Sequence, residues 1–293
     1  MNNRKMTGIQ LIAPTKQGEW ALPATANFVL GGAGTGFYLV SVLNIILWRG
    51  MSAMVHPVLF GMWAPVLMGL GFVFLAAEAG RPSRGRHLLG HLRSAWISRE
   101  TLAFAFFAPA VILDNFFPHL VFKVCAGVSA LFFMAAQGFI LYSSRAIPAW
   151  NVSIMPLFFL SSGFVSGAGL VLLLAASGRL LLGDGFMLFS LICVIINLVI
   201  WICYLRRSND VDFQLGTRAL RHPSKMFVTI VFGHVVSILI LFLFQIQTYI
   251  GLESSFPHAL ITISGIAIII GVAAQKIGII LSAGYAGEVV LKF

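Results

Sequence analysis

Four polar side chains stand out because their surroundings are apolar: Asn27, Glu78, Glu100 and Gln137. Such groups are costly to keep in or beside hydrocarbon, and they tend to mark places where chemistry is done. Glu78 closes one apolar stretch and Glu100 opens the next; Asn27 lies less than two turns into the first stretch, and Gln137 a little over one turn from the end of the fourth. Four consecutive stretches therefore bring four polar groups to one depth, with Arg81 and Arg99 at the rim. Amides and carboxyls gathered in this way can hydrogen-bond the carbonyl oxygens of a quinone and pass its protons to water. Alternatively, Glu78 and Glu100 pair with the neighbouring arginines as loop anchors; the two roles are compatible.

A second set of polar groups lies deeper. Asn197, His234, Gln275 and Lys276 fall in the second half of the chain, and Asp114 falls near the far end of the third stretch. Asp114, His234, Gln275 and Lys276 are candidates for a proton path, although isolated polar groups in membranes also serve as ordinary interhelical hydrogen bonds. Metal chemistry finds little support. Cys125, Cys193 and Cys203 all sit in apolar runs without CxxC or Cys/His ligand spacing, so no iron–sulfur cluster or zinc is expected on this chain. A b-type haem needs paired histidines inside the bilayer, and only His234 is well inside a stretch, so no haem is expected. The run Gly31-Gly32-Ala33-Gly34-Thr35-Gly36 would need a preceding strand to cradle a phosphate. Here it lies inside an apolar helix and reads as a close-packing surface.

The elements that position these groups follow from composition. Of 293 residues, 59% are hydrophobic and 10% charged, with mean hydropathy +0.96. A soluble fold with so few polar residues could not cover its own surface, which excludes a soluble enzyme, a secreted disulfide scaffold and a disordered chain. A membrane span needs ~20 apolar residues. Eight stretches qualify, near 22–48, 57–78, 101–117, 119–142, 153–177, 184–205, 226–250 and 257–282, with Pro57, Pro118, Pro223 and Pro257 near starts. The expected fold is an all-α polytopic membrane protein of eight transmembrane helices.

Eight spans put both termini on one side, together with the loops 79–100, 143–152 and 206–225. Arginines and lysines crowd that side, while Arg49, Lys123 and Arg179 fall opposite and Lys276 falls inside the last span. Basic loops stay in the cytoplasm, so both termini are expected there, in the cytoplasmic (inner) membrane. This distribution also accounts for the net charge of +10 without nucleic acid, since the basic residues are spread over several loops. The polar N-terminal residues Met1 to Glu19 show no apolar core of a cleaved signal peptide.

An internal repeat adds order. Trp20 precedes Phe28-Val29-Leu30-Gly31-Gly32, and Trp150 precedes Phe158-Phe159-Leu160-Ser161-Ser162. Four spans separate the copies, an even number, so the repeat is parallel. The expected organisation is a cytoplasmic segment 1–21, a first four-helix bundle 22–142 with the quinone pocket, a linker 143–152, a second bundle 153–282 and a cytoplasmic tail 283–293. A secondary transporter built on this parallel repeat is the competing reading.

Three blocks carry a family resemblance. They are Glu19-Trp20 leading into Phe28 to Phe37; Glu78-Ala79-Gly80-Arg81-Pro82 followed by Ser94 to Glu100; and Arg145 to Asn151 followed by Pro156 to Phe159. In order and spacing they resemble the NrfD-like/DmsC-like membrane anchors of the dimethyl-sulfoxide-reductase and polysulfide-reductase type, and Gln275-Lys276-Ile277-Gly278 adds a weaker match. The resemblance implies eight helices and no redox centre on the chain itself. It implies a four-cluster, ferredoxin-like iron–sulfur partner bound to a molybdopterin catalytic subunit, and a menaquinone or ubiquinone held in the first four helices. It places Asn27, Glu78 and Glu100 at quinone-contacting positions, with Glu standing at 78 where relatives have His, and Ala136 and Gln137 where relatives have a fourth-helix Tyr. Joined to the charge bias, it implies docking of the partners on the cytoplasmic face, against the arginine-rich loops.

Overall fold

The computed structural model describes residues 8–18, 20–48, 61–78, 90–250, 257–287 and 289–292. Seven of its helices are long and apolar enough to cross a membrane. These are α1 (Leu22–Trp48), α3 (Trp96–Phe116), α4 (Leu120–Tyr142), α5 (Met155–Ala176), α6 (Phe186–Leu205), α8 (Pro223–Tyr249) and α9 (His258–Ser282). Between α1 and α3 lies the shorter apolar helix α2 (Trp63–Glu78), and a short helix α7 (Val211–Thr217) sits in the loop before α8. The protein is thus a helical, multi-pass membrane protein. Its exposed surface bears Leu, Ile, Val and Phe side chains along α3, α4, α6, α8 and α9, as lipid contact requires, whereas α5 exposes only Leu157 among its large apolar side chains.

The starts of α1, α4, α5, α6, α8 and α9 agree with the sequence reading to within three residues, α3 begins at Trp96, five residues before the expected 101, and the start expected at 57 lies outside the described residues. Glu100 therefore lies inside a helix instead of ahead of one. Pro57, Arg81 and the loop arginines Arg84 and Arg86 lie outside the described residues.

Small residues set the packing. A side chain at Gly36 would collide with the backbone of Gly163, and one at Gly167 with the backbone of Gly36. Trp20 meets Trp150 with ring centroids 5.4 Å apart, and Phe28 meets Phe159 at 5.5 Å. These successive contacts run in the same direction along both helices, so α1 and α5 pack in parallel and the two copies of the repeat face each other. Helix α2 runs the other way along α1: Gly34 lies against Ala64 and Met68, Gly71 against Asn27, and Glu78 against the start of α1. The glycine run of α1 is a contact surface on two sides.

One feature departs from an all-α fold. Strand β1 (Gly8–Ile12) pairs antiparallel with β2 (Val289–Lys292), and Lys16 bridges to Tyr285. Four-residue pairing across almost the whole chain leaves no local sequence signal, because each strand is too short to show a period of its own. The segment 143–152 is likewise more than a linker. Ala149 and Trp150 are buried, the Tyr204 hydroxyl donates to the Ala149 carbonyl at 3.0 Å, and Trp150 Nε1 donates to the Ile279 carbonyl at 2.8 Å.

Candidate functional site

Where α1 begins, a cavity of about 280 Å³ opens between α1, α2, α3 and α4, walled by Trp20, Phe28, Leu75, Ile97 and Ile140. Asn27, Glu78 and Glu100 supply its polar lining. Gln137 stands directly behind them. The Asn27 Nδ2 donates to Glu100 Oε1 at 3.0 Å, Gln137 Nε2 donates to the same oxygen at 3.1 Å, and Gln137 Nε2 also reaches the Asn27 carbonyl at 3.2 Å. All three side chains are buried, Glu100 at 1% exposure. Three of the four amide and carboxyl groups named from the sequence thus form one hydrogen-bonded cluster from three helices.

Each helix places its group by a simple device. Asn27 faces α2 because Gly71 offers no side chain there: a Cβ at that position would lie 3.0 Å from Asn27 Oδ1. Glu100 is held in the second turn of α3, whose start is anchored by Trp96 stacked on Phe139 with ring centroids 4.3 Å apart. Gln137 sits on α4 one residue before Gly138, whose bare backbone lets Pro156 of α5 come close. The Asn27 Oδ1 and Gln137 Oε1 atoms are buried acceptors without a partner among the described residues. Buried polar atoms left unpaired cost free energy, and they commonly face a ligand or water.

Glu78 plays a different local part. Its Oε1 accepts from the Ala21 N–H at 2.7 Å and its Oε2 from the Ala24 N–H at 2.5 Å. The carboxylate at the end of α2 thereby caps the N-terminus of α1, where free N–H groups and the helix dipole favour a negative charge. Glu78 shares the cavity with the amide–carboxylate cluster without hydrogen-bonding to it. Among the described residues neither Glu78 nor Glu100 is paired with an arginine. Arg99 turns outward: its guanidinium donates to the carbonyls of Leu92 at 2.8 Å and Arg93 at 2.9 Å and lies 4.2 Å over the Trp96 ring. Arg81 lies outside the described residues.

The deeper groups separate into three places, and no hydrogen bond joins Asp114, His234, Gln275 and Lys276 to one another among the described residues. Asp114 forms an ion pair with Lys123 across the α3–α4 hairpin. His234 lies between α6 and α8, with Nδ1 2.6 Å from the Thr229 carbonyl and Nε2 2.8 Å from Asn197 Oδ1, while Asn197 Nδ2 donates to Ser161 Oγ at 2.9 Å. The wide helical turns of Phe227–Val236 leave the Thr229 carbonyl facing that imidazole. Gln275 is buried with neither amide atom paired among the described residues.

Lys276 reaches the first half of the chain. Its Nζ donates to the Phe28 carbonyl at 3.0 Å and lies 5.3 Å from the Phe159 ring centre. Gly32 makes this possible, since any side chain there would collide with Lys276 Nζ; Gln137 Oε1 flanks the same position at 3.6 Å. Sequence spacing assigned Lys276 to a group of its own half and gave no signal for this contact. Trp20, which precedes the first copy of the repeat, is a wall of the cavity.

No group of three or more metal-ligating side chains occurs among the described residues. No protein-family model matches the chain, and no curated protein matches it.

Proposed function

We propose that this chain is the membrane-embedded, quinone-reactive anchor of a multi-subunit oxidoreductase, of the NrfD-like/DmsC-like kind. The observation that carries the reading is the buried Glu100 carboxyl, held by Asn27 and Gln137 at the wall of an otherwise apolar cavity. Flat apolar walls suit a quinone ring, and the unpaired Asn27 Oδ1 is an acceptor for a quinol hydroxyl. A bound quinone would supply a two-electron, two-proton couple. Asn27 and Glu100 would hold its oxygens, Trp20 and Phe28 would exclude lipid, and Glu100 would take up or return the proton at its free oxygen. Glu78, at the same cavity, keeps the start of α1 fixed.

Parity supports an eight-helix topology of two four-helix halves. Paired end segments require an even number of crossings between them, and parallel α1 and α5 require an odd number of spans between them. Counting α2 as a span satisfies both. With the basic loops inside, the paired ends and the cavity mouth face the cytoplasm. There an iron–sulfur subunit carrying a molybdopterin partner would dock and exchange electrons with quinone.

A secondary transporter would place its site at the interface of the two repeats. That seam is occupied here by the Gly36–Gly163–Gly167 contact, and the cavity lies within the first half. The test is Glu100→Gln in the intact complex: quinol-linked turnover must fall while the complex still assembles. Unchanged turnover rejects the quinone role.

A further inference from the structure

A second cavity lies in the other half of the molecule, on the same face, and nothing in the quinone reading uses it. It measures about 340 Å³ and opens between α6, α8 and α9. Its walls are mostly apolar, with Val228, Ala274 and Ile277 prominent, and its polar groups are Trp201, Ser224, Lys225, Thr229 and Ser282. The Trp201 indole N–H is fully buried and has no hydrogen-bond partner among the described residues. Lys225 Nζ donates to Ser282 Oγ at 2.7 Å and meets no carboxylate among the described residues. On the other side of α8 a neighbouring cavity of about 250 Å³ is lined by Arg206, Arg221, Met226 and Ile230. Between the two, Phe227, Val231, Val235 and Leu239 are exposed at four-residue spacing.

An ammonium without a carboxylate among the described residues, an unpartnered N–H donor and an apolar wall ask for an amphiphile with an anionic, oxygen-rich head. The cavity is too small for a whole lipid, and the exposed apolar row on α8 gives the tails a path into the bilayer. We infer that this cavity binds the headgroup of an anionic phospholipid, with phosphate oxygens at Lys225 and Trp201 and acyl chains along α8. Arg206 and Arg221 next door raise the local concentration of anionic lipid by electrostatic attraction. The inference is independent of the quinone reading.

The experiment uses the full chain in a mild uncharged detergent, following its unfolding midpoint as mixed micelles are added. Phosphatidylglycerol is expected to raise the midpoint by a few degrees, whereas phosphatidylcholine and inorganic phosphate leave it in place. Lys225→Gln is expected to lose at least half of the shift, and Lys123→Gln, on the opposite face, to keep it. Equal protection by phosphatidylcholine, an equal shift with inorganic phosphate alone, or a full shift in Lys225→Gln overturns the inference. Should Lys225→Gln fail to fold, native mass spectrometry of Trp201→Phe decides: fewer retained phosphatidylglycerol molecules than wild type support the site, and equal retention overturns it.

Discussion

The Lys276 ammonium donates to the main-chain carbonyl of Phe28 over 3.0 Å, tying the last membrane helix to the backbone of the first. A fully buried cation with no carboxylate at hand among the described residues is expensive. Its stabilising contacts are a carbonyl dipole and the face of Phe159. Because Gly32 brings it beside Gln137, the cation stands one side chain away from the Glu100 cluster.

Replacing Lys276 with Met keeps the volume and removes the charge. The variant is expected to fold with an unfolding midpoint equal to or above that of the parent, because an unpaired buried charge is gone. Quinone-linked turnover of the complex is expected to fall at the same time. A thermal melt in detergent and a turnover assay on one preparation check both halves.

Glu100→Gln retains an oxygen that both amides can donate to, so the fold is expected to survive with near-parental stability. Glu100→Leu leaves the Asn27 Nδ2 group without its acceptor and Gln137 Nε2 with the Asn27 carbonyl alone, and is expected to cost ~1–3 kcal/mol for the stranded Asn27 donor. Comparing the denaturation of the two variants separates the structural role of the carboxyl from its proton-carrying one.

Removing the cap on α1 should act on stability first. Glu78→Ala strands the Ala21 and Ala24 N–H groups and is expected to destabilise by ~0.5–2 kcal/mol. Glu78→Gln keeps an acceptor and loses less. Hydrogen exchange at the first turn of α1 is the direct measurement, and faster exchange is expected there before anywhere else in the helix.

Gly36→Ala would drive a methyl group into the Gly163 carbonyl, where both neighbours are backbone and cannot yield. Loss of folded protein is expected. Gly69→Ala is the control, since its nearest neighbour is the Phe104 ring edge at 3.7 Å, and it is expected to fold normally. Yield of monodisperse protein on size exclusion reads out the pair.

Orientation has its own check. A reporter active only in the cytoplasm, fused after Phe293, is expected to be active. A fusion in the turn between α3 and α4, beside Pro118, is expected to be silent.

Much of the site was legible as depth. Asn27, Glu100 and Gln137 could be placed at one level because a helix rises by a fixed ~1.5 Å per residue, so position along a span converts to height. Rotation was not legible. Glu78 and Arg99 sit at the same height, yet the azimuth of α2 gave Glu78 to the α1 N-terminus, and the loop ahead of α3 took the Arg99 guanidinium. Apolar stretches with no polar face carry no periodicity from which azimuth could be read.

The sequence by itself determined that this chain lives in lipid, where its long helices lie and which end of each is rich in positive charge. Those properties are sums over local composition. Tertiary structure decided which polar groups touch. Lys276 crosses to Phe28 because Gly32 leaves room, Trp20 faces Trp150 because two glycine stripes mesh, and β1 finds β2 from the opposite end of the chain. Each is a contact between segments far apart in sequence, and in an apolar solvent such contacts are selected by shape and hydrogen bonding, which no single stretch encodes.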